Sequence, residues 1–334
     1  MSCSATPTKE TTVISTRELT KDFVVSRTET VHAVRGISLD VEPGELVAVL
    51  GPNGAGKTTT LRMLTTLIAP TSGTATVAGY DVTAEPARVR RQIGYVGQGN
   101  GAGHSHRVGD ELHGQGVIYG MDRRAAKRRA SELLEGLELK DLAERKVSEL
   151  SGGQRRRLDV AMGLVHAPGL LFLDEPSTGL DPQNRANLWD HILRMREQYA
   201  MTIVLTTHYL DEADSMAERV VVVDHGEVIA DDTAEALKTR LAGDRLALVV
   251  APDNQIRIRE LAEKLPGAKE FETSGDQVSL RVTDGPAALP ILLGAAQQYG
   301  VPVAAAQVHR PTLDDVFLNL TGRSLRDSNG KAAA

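Results

Sequence analysis

Cysteine is all but missing from this chain of 334 residues, with Cys3 the only one. No disulfide framework or zinc ribbon can be built from it, and a reducing cytoplasm is the expected home. Long apolar runs are missing too: no stretch approaches the ~18 to 20 residues a membrane-spanning helix needs. The polar opening Met1–Thr12 lacks the apolar centre of a signal peptide, so the chain itself is not expected to cross a bilayer. Aromatic residues are scarce at 3%. Positive charge is not in excess either, since 38 basic against 44 acidic side chains leave −6, a balance that argues against nucleic acid as the main partner. There is no solenoid-type repeat, and the only low-complexity segments are the polar ends, 1–12 and 323–334, which are expected to be mobile. What remains is an ordinary globular composition, 41% apolar and 25% charged, in a chain longer than one core usually supports. Two domains are expected.

The most informative stretch is Gly51-Pro52-Asn53-Gly54-Ala55-Gly56-Lys57-Thr58-Thr59. It follows the apolar run Leu46–Leu50 and precedes a helical pattern through Leu61, Leu64 and Leu67, the strand–loop–helix setting in which G-x-x-x-x-G-K-[ST] binds a triphosphate. The glycines let backbone N–H groups turn inward around the phosphates, the helix start adds its positive end, and Lys57 adds a point charge. Thr58 is placed to ligate Mg²⁺.

Upstream, Val13–Thr20, Val31–Val34 and Ile37–Val41 read as strands, with Glu42-Pro43-Gly44 as a turn. Phe23, just past the first strand, offers a π surface for an adenine, or else a buried core side chain; the residues alone leave both open. Downstream, Ile93-Gly94-Tyr95-Val96 leads to Gln98, whose amide oxygen suits Mg²⁺ and an attacking water. Residues 99–116 are rich in Gly and His. His104, His106 and His113 lack the partner Cys or carboxylate spacing of a metal site, so this segment reads as a flexible loop. A basic helix follows from about Arg123 to Leu137. Its cluster Arg123, Arg124, Lys127, Arg128 and Arg129 reads as a solvated face, with an anionic membrane surface as the sharper alternative.

Ser151, followed by Gly152, Gly153 and Gln154, opens a second helix. A Ser cap with free amides behind it is a second ready phosphate site, too far along the chain to belong to the first loop. The run Leu170–Leu173 ends in Asp174-Glu175 and reads as a buried parallel strand whose tip faces the ligand crevice. Asp174 there suits Mg²⁺, and Glu175 suits a general base for water. Pro176–Pro182 is a tight loop carrying Asp181, and His208 ends the strand pattern of Thr202–Leu205, where it can donate to a γ-phosphate.

Taken together, GPNGAGKTT (51–59), Gln98, LSGGQ (150–154), LLFLDE (170–175), STGLDP (177–182) and His208 resemble, in order, the Walker A, Q-loop, signature, Walker B, D-loop and switch histidine of an ABC-type ATPase. That resemblance implies an α/β P-loop NTPase fold for 13–240: a RecA-like core, an antiparallel β-subdomain, and a helical subdomain at about 99–165. It implies ATP and Mg²⁺ as cofactors, and ATP held head to tail between two ABC domains, in a homodimer or heterodimer, with Ser151–Gln154 acting in trans. Phe23 falls where the family keeps its adenine-stacking aromatic. AGYDV (78–82), SGGQRRRLDVA (151–161), TTHYLDEAD (206–214) and PTLDDVFLNLTG (311–322) are similar to the daunorubicin-resistance type. The expected role is therefore the ATP-hydrolysing subunit of a drug or antibiotic exporter, at the cytoplasmic face of the membrane through a separate permease. The Gly/His-rich 99–116 departs from that type. The rival, a soluble ABC ATPase acting on ribosomes or DNA, usually has two cassettes or a long coiled coil; this chain shows neither.

In a C-terminal domain expected over 245–322, residues 245–310 pattern as β-α-β-β-α-β, a ferredoxin-like α+β order. A last helix starts at Thr312 with Asp315 placed for a capping box and Leu313, Val316, Phe317 and Leu320 on one stripe. No catalytic constellation is visible there, and a regulatory or dimer-supporting role is the expectation by analogy.

Overall fold

A computed structural model describes residues 12–323; the terminal segments expected to be mobile lie, but for Thr12 and Arg323, outside it. The chain divides into two compact units between Ile229 and Ala230, earlier than the break near 240–245 expected from the pattern.

The first unit opens with two long strands, β1 (Ile14–Val24) and β2 (Thr30–Val41). The second absorbs both runs that the pattern separates at Arg35-Gly36, because the antiparallel pairing with β1 continues across them through register shifts. Then come β3 (Leu46–Leu50), α1 (Lys57–Leu64), β4 (Ser72–Val77), β5 (Tyr80–Asp81), α2 (Pro86–Gln92) and β6 (Ile93–Val96). Helices α3 (Val108–Ile118), α4 (Arg123–Gly136) and α5 (Gly152–Leu164) precede β7 (Leu170–Asp174), α6 (Pro182–Tyr199), β8 (Thr202–Thr207), α7 (Leu210–Met216), β9 (Arg219–Asp224) and β10 (Glu227–Asp232).

These strands form two sheets. A four-stranded one runs β2-β1-β4-β5, and a six-stranded one runs β10-β9-β3-β8-β7-β6. From β9 to β6 the second sheet is parallel, and every residue of β3, β7 and β8 is buried, as strands covered on both faces must be. Leu61, Met63 and Leu64 of α1 lie in one core with Ile14, Val34 and Val77 of the smaller sheet and Val47, Phe172 and Val204 of the larger. Each such side chain contributes roughly 1.5–3 kcal/mol by leaving water. Parallel strands put their C-terminal ends on one edge, so the loops after β3, β6, β7 and β8 all emerge together.

Residues 99–116 are not the flexible loop expected. Residues from Val108 on are helical, and the preceding turn is tied down where Val147 and Ser148 donate to the carbonyls of His106 and His104. Gly116 allows the helix there: a Cβ on it would sit 2.9 Å from the Ala126 methyl of α4.

The second unit carries α8 (Ala234–Leu237), β11 (Asp244–Val250), α9 (Gln255–Ala262), β12 (Lys269–Ser274), β13 (Gln277–Val282), α10 (Gly285–Gln298), β14 (Val303–His309) and α11 (Leu313–Thr321). Its sheet runs β12-β13-β11-β14 with every pair antiparallel, and α9 and α10 pack on it through Ile258, Leu261, Ala288 and Leu292. The β-α-β-β-α-β order is thus realised as a ferredoxin-like sheet. Thr312 and Asp315 close a capping box on α11.

Candidate functional site

The loop after β3 wraps the start of α1. Gly56 takes φ 101°, and a Cβ there would lie 2.5 Å from the Ala33 carbonyl, so only glycine fits this turn. No side chain caps α1, which leaves its first amides facing the cleft. Lys57 is 4% exposed. Its ammonium donates to the carbonyls of Gly51 at 2.7 Å and Pro52 at 2.9 Å. Ala55 braces the loop, accepting from the Gly226 amide at 3.0 Å.

Three neighbouring strand ends supply the remaining groups. Thr58 Oγ1 donates to Asp174 Oδ1 at 2.8 Å, and Gln98 Nε2 donates to Thr58 Oγ1 at 3.0 Å. Asp174 also accepts from Thr206 Oγ1 at 2.7 Å, while its buried Oδ2 makes no hydrogen bond. Glu175 has a left-handed backbone, φ 47°, fixed by its amide donating to the Thr206 carbonyl and to Thr206 Oγ1, both at 3.1 Å. Its carboxylate lies 3.8 Å from Lys57 Nζ and 3.3 Å from His208 Nδ1. The imidazole contact is an ion-pair distance without hydrogen-bond alignment.

Burial is the largest single influence on Glu175 and pushes its pKa up, but the His208 imidazole and the Lys57 ammonium outweigh it and hold the carboxyl below the usual glutamate range. Burial likewise draws the Lys57 ammonium below its ordinary value, against the opposing pull of Glu175 and Asp174.

The cleft above these groups, about 380 Å³, is lined by Asn53, Gly54, Ala55, Gly56, Lys57, Thr58, Thr59, Gln98 and Glu175, together with Val31, His32, Ala33, Arg35 and His225. Phe23 is 40% exposed, so it is not a core residue; it does not line the cleft, but pairs across β1 and β2 with Val31, which does. The other predicted residues lie elsewhere. Ser151 caps α5 in a reciprocal box with Gln154, and Asp181 caps α6 through the Asn184 amide. Neither Ser151–Gln154 nor Asp181 lines this cleft.

Four contributors escaped the motif reading. His32, Arg35 and His225 reach the cleft only through tertiary folding. Thr206 pairs in register with Asp174, a relation readable only once the strand order is known. The histidines of 104–113 hold no metal set: among the described residues no group of three or more His, Cys, Asp and Glu is arranged for an ion, and His106 is paired with Glu111 at 2.5 Å.

Residues 34–178 match the ABC transporter family, and residues 233–321 match the C-terminal domain of DrrA1-3-like ATP-binding proteins. The daunorubicin resistance ATP-binding protein DrrA2 of Streptomyces coeruleorubidus is 42% identical over 91% of this chain and 94% of its own. The daunorubicin/doxorubicin resistance ATP-binding protein DrrA of Streptomyces peucetius is 40% identical over 98% of both chains. Among solved structures, the dimeric post-hydrolysis state of the ATP-binding cassette MJ0796 bound to ADP and Pi superposes with TM-score 0.61 at 26% identity, covering 66% of this chain and 98% of that one. Likeness of this extent in both units admits one assignment: the chain belongs to the ABC transporter family, as an ATP-hydrolysing subunit of its DrrA-like export type.

Proposed function

We propose that two copies of this chain, or one copy and a second ABC domain, close head to tail around ATP at the cytoplasmic face of the membrane. Closure would drive a separate membrane permease that exports a drug- or antibiotic-like molecule. The relatives carry the cargo class in their names: daunorubicin resistance, linearmycin resistance in a Bacillus subtilis protein 36% identical over 88% of this chain, and Nod factor export in a Burkholderia lata protein 38% identical over 88%. A role on ribosomes or DNA finds no support among them. Among the described residues, no helix is long and apolar enough to span a bilayer.

One observation carries the two-body reading. The cleft collects Lys57, Thr58, Gln98 and Glu175 from one chain, while the Ser151 helix end of that chain lies outside it. A second copy supplies that end to the γ-phosphate. Phe23 stacks on the adenine at the rim.

Within one cleft, Glu175 accepts the proton of the attacking water. His208 donates to the γ-phosphate, and Lys57 exchanges the Gly51 and Pro52 carbonyls for phosphate oxygens. Thr58, Gln98 and Asp174 suit Mg²⁺: the threonine hydroxyl and the amide are already joined, and the buried Asp174 Oδ2 lacks a partner. The ion, when bound, supplies charge neutralisation at the phosphate oxygens.

The test is to purify Glu175→Gln protein and follow its mass with and without MgATP, then to co-express the native chain with any six-span hydrophobic protein that a neighbouring reading frame encodes. An ATP-dependent doubling of mass, membrane recovery only with that partner, and partner-dependent efflux of daunorubicin are expected. Recovery with ribosomes or DNA instead would overturn the proposal.

A further inference from the structure

A single buried side chain joins the helix that begins at Ser151 to the hydrolytic groups of the same chain. Arg156, on the second turn of α5, is 8% exposed. Its guanidinium donates to the Pro176 carbonyl at 2.5 Å and the Gly97 carbonyl at 2.7 Å, with longer contacts to the carbonyls of Asp174 at 3.4 Å and Glu175 at 3.5 Å. Asp159, one turn on, lies 3.9 Å from Arg156 and accepts from the Gly101 amide at 2.9 Å. One helix therefore grips both flanks of Gln98 and the backbone on either side of Glu175.

Thr206 holds Asp174 and the Glu175 amide from the β8 side, but the Gly97 and Pro176 carbonyls lie past the ends of β6 and β7, and buried carbonyls need partners. The left-handed backbone of Glu175 persists only where its surroundings over-determine it. A planar fork of five donors is suited to that task; an ammonium or amide is not.

The start of α5 is wedged as well. A Cβ on Gly153 would fall 2.6 Å from Asn184 Oδ1, and Asn184 donates to Asp181 at both its backbone and side-chain nitrogens. The helix start cannot shift without pushing the 176–182 loop or the Arg156 fork.

We propose that Arg156 is a positioning residue that transmits contact at the Ser151 end of α5 to Gln98 and Glu175 of its own chain, so that the nucleotide gripped at one face of the protein tunes hydrolysis at the other. The proposal rests on the head-to-tail reading. In a dimer it couples the two sites, and turnover depends on ATP cooperatively.

The experiment compares native protein with Arg156→Gln and Arg156→Lys by phosphate release against ATP concentration, binding of a fluorescent ATP analogue, and thermal melting. The native chain should give a Hill coefficient above 1. In Arg156→Gln, analogue affinity should stay within about twofold while kcat falls roughly 10- to 100-fold and the Hill coefficient drops to about 1. Arg156→Lys should recover rate only in part. A folded Arg156→Gln protein with native kcat and cooperativity overturns the proposal, as does a native Hill coefficient of 1, or loss of rate and affinity in equal measure. If Arg156→Gln does not melt cooperatively, the lysine variant decides by the same criteria. ATP-driven dimerisation of Glu175→Gln, alone and combined with Arg156→Gln, separates the two readings. Failure of the first to dimerise refutes the head-to-tail arrangement, whereas dimers of both with native turnover in Arg156→Gln refute only the positioning role.

Discussion

Replacing Glu175 by Gln is the sharpest perturbation the site allows. The side chain keeps its shape, Thr178 Oγ1, now 3.3 Å from Glu175 Oε2, can still donate to the amide oxygen, and the backbone hydrogen bonds to Thr206 are untouched. Folding should therefore change little. What disappears is a carboxylate held below the usual glutamate range, hence ionised and able to take a proton at neutral pH. General-base assistance is worth roughly 10²–10⁴-fold, or about 3–5 kcal/mol of barrier at ~1.4 kcal/mol per tenfold. Binding moves the other way. Loss of the acid 3.8 Å from Lys57 leaves the ammonium free for phosphate and removes a negative charge from the γ-phosphate position, so affinity holds or rises. Steady-state phosphate release should fall by at least about 100-fold while ATP, added alone, converts the variant to a long-lived dimer. A folded variant that binds ATP and turns it over within about threefold of the native rate would show that another group serves as base.

Four further outcomes are expected. Lys57→Ala should lose detectable ATP binding in equilibrium titration, because charge-assisted hydrogen bonds to phosphate are worth roughly 1.5–3 kcal/mol each; retained micromolar affinity would contradict this. Phe23→Ala should raise the half-saturating ATP concentration by the ~1–3 kcal/mol of one stacked base, with Phe23→Trp close to native, and equal curves for all three would remove the stacking role. Gly56→Ala should melt lower and lose nucleotide binding, since its Cβ has nowhere to go but the Ala33 carbonyl at 2.5 Å; an unchanged melting curve would refute that. In kcat/KM, which reports the free enzyme, the acid limb should fall below the ordinary glutamate value of about 4.3. A carboxyl with a lowered folded-state value adds stability that is complete above its unfolded value and is lost as pH falls through the folded one. The drop in melting temperature on acidification should therefore be smaller in Glu175→Gln, which has no such contribution to lose, and a limb near neutral pH would contradict the assignment.

Much of this was legible in the sequence because the chemistry sits on short contiguous runs: the phosphate loop follows its strand directly, and Asp174-Glu175 end an apolar run whose burial forces their tip into the crevice. The second unit was legible for a similar reason, since its strands and helices alternate in short contiguous runs that give the β-α-β-β-α-β order directly. Helix α3 was not. Gly109, Gly114 and Gly116 read as breakers locally, and only the contact of Gly116 with Ala126 shows that close packing offsets their low propensity. Arg156 was hidden for the opposite reason. In a run of three arginines nothing local distinguishes the one that α5 turns inward from its neighbours, and a charged residue is by default a surface residue.

That division has a physical basis. Groups that meet a ligand must stand at strand ends and helix starts, where backbone geometry concentrates them and leaves motifs. Groups that hold those residues in place act across the core, and their partners are backbone groups or side chains distant in sequence, a pairing that no motif marks. Arg156 with its four carbonyls and Thr206 with Asp174 and Glu175 are of this second kind. Ser177, Thr207 and Glu212 make a further such set: Glu212 is 2% exposed and accepts hydroxyl donors from both others, tying the 176–182 loop to the His208 strand end. If positioning is what sets the rate of phosphoryl transfer, substitutions at these unmarked residues should reduce kcat while leaving ATP affinity near native, whereas substitutions in the motif residues Lys57 and Phe23 should reduce affinity first.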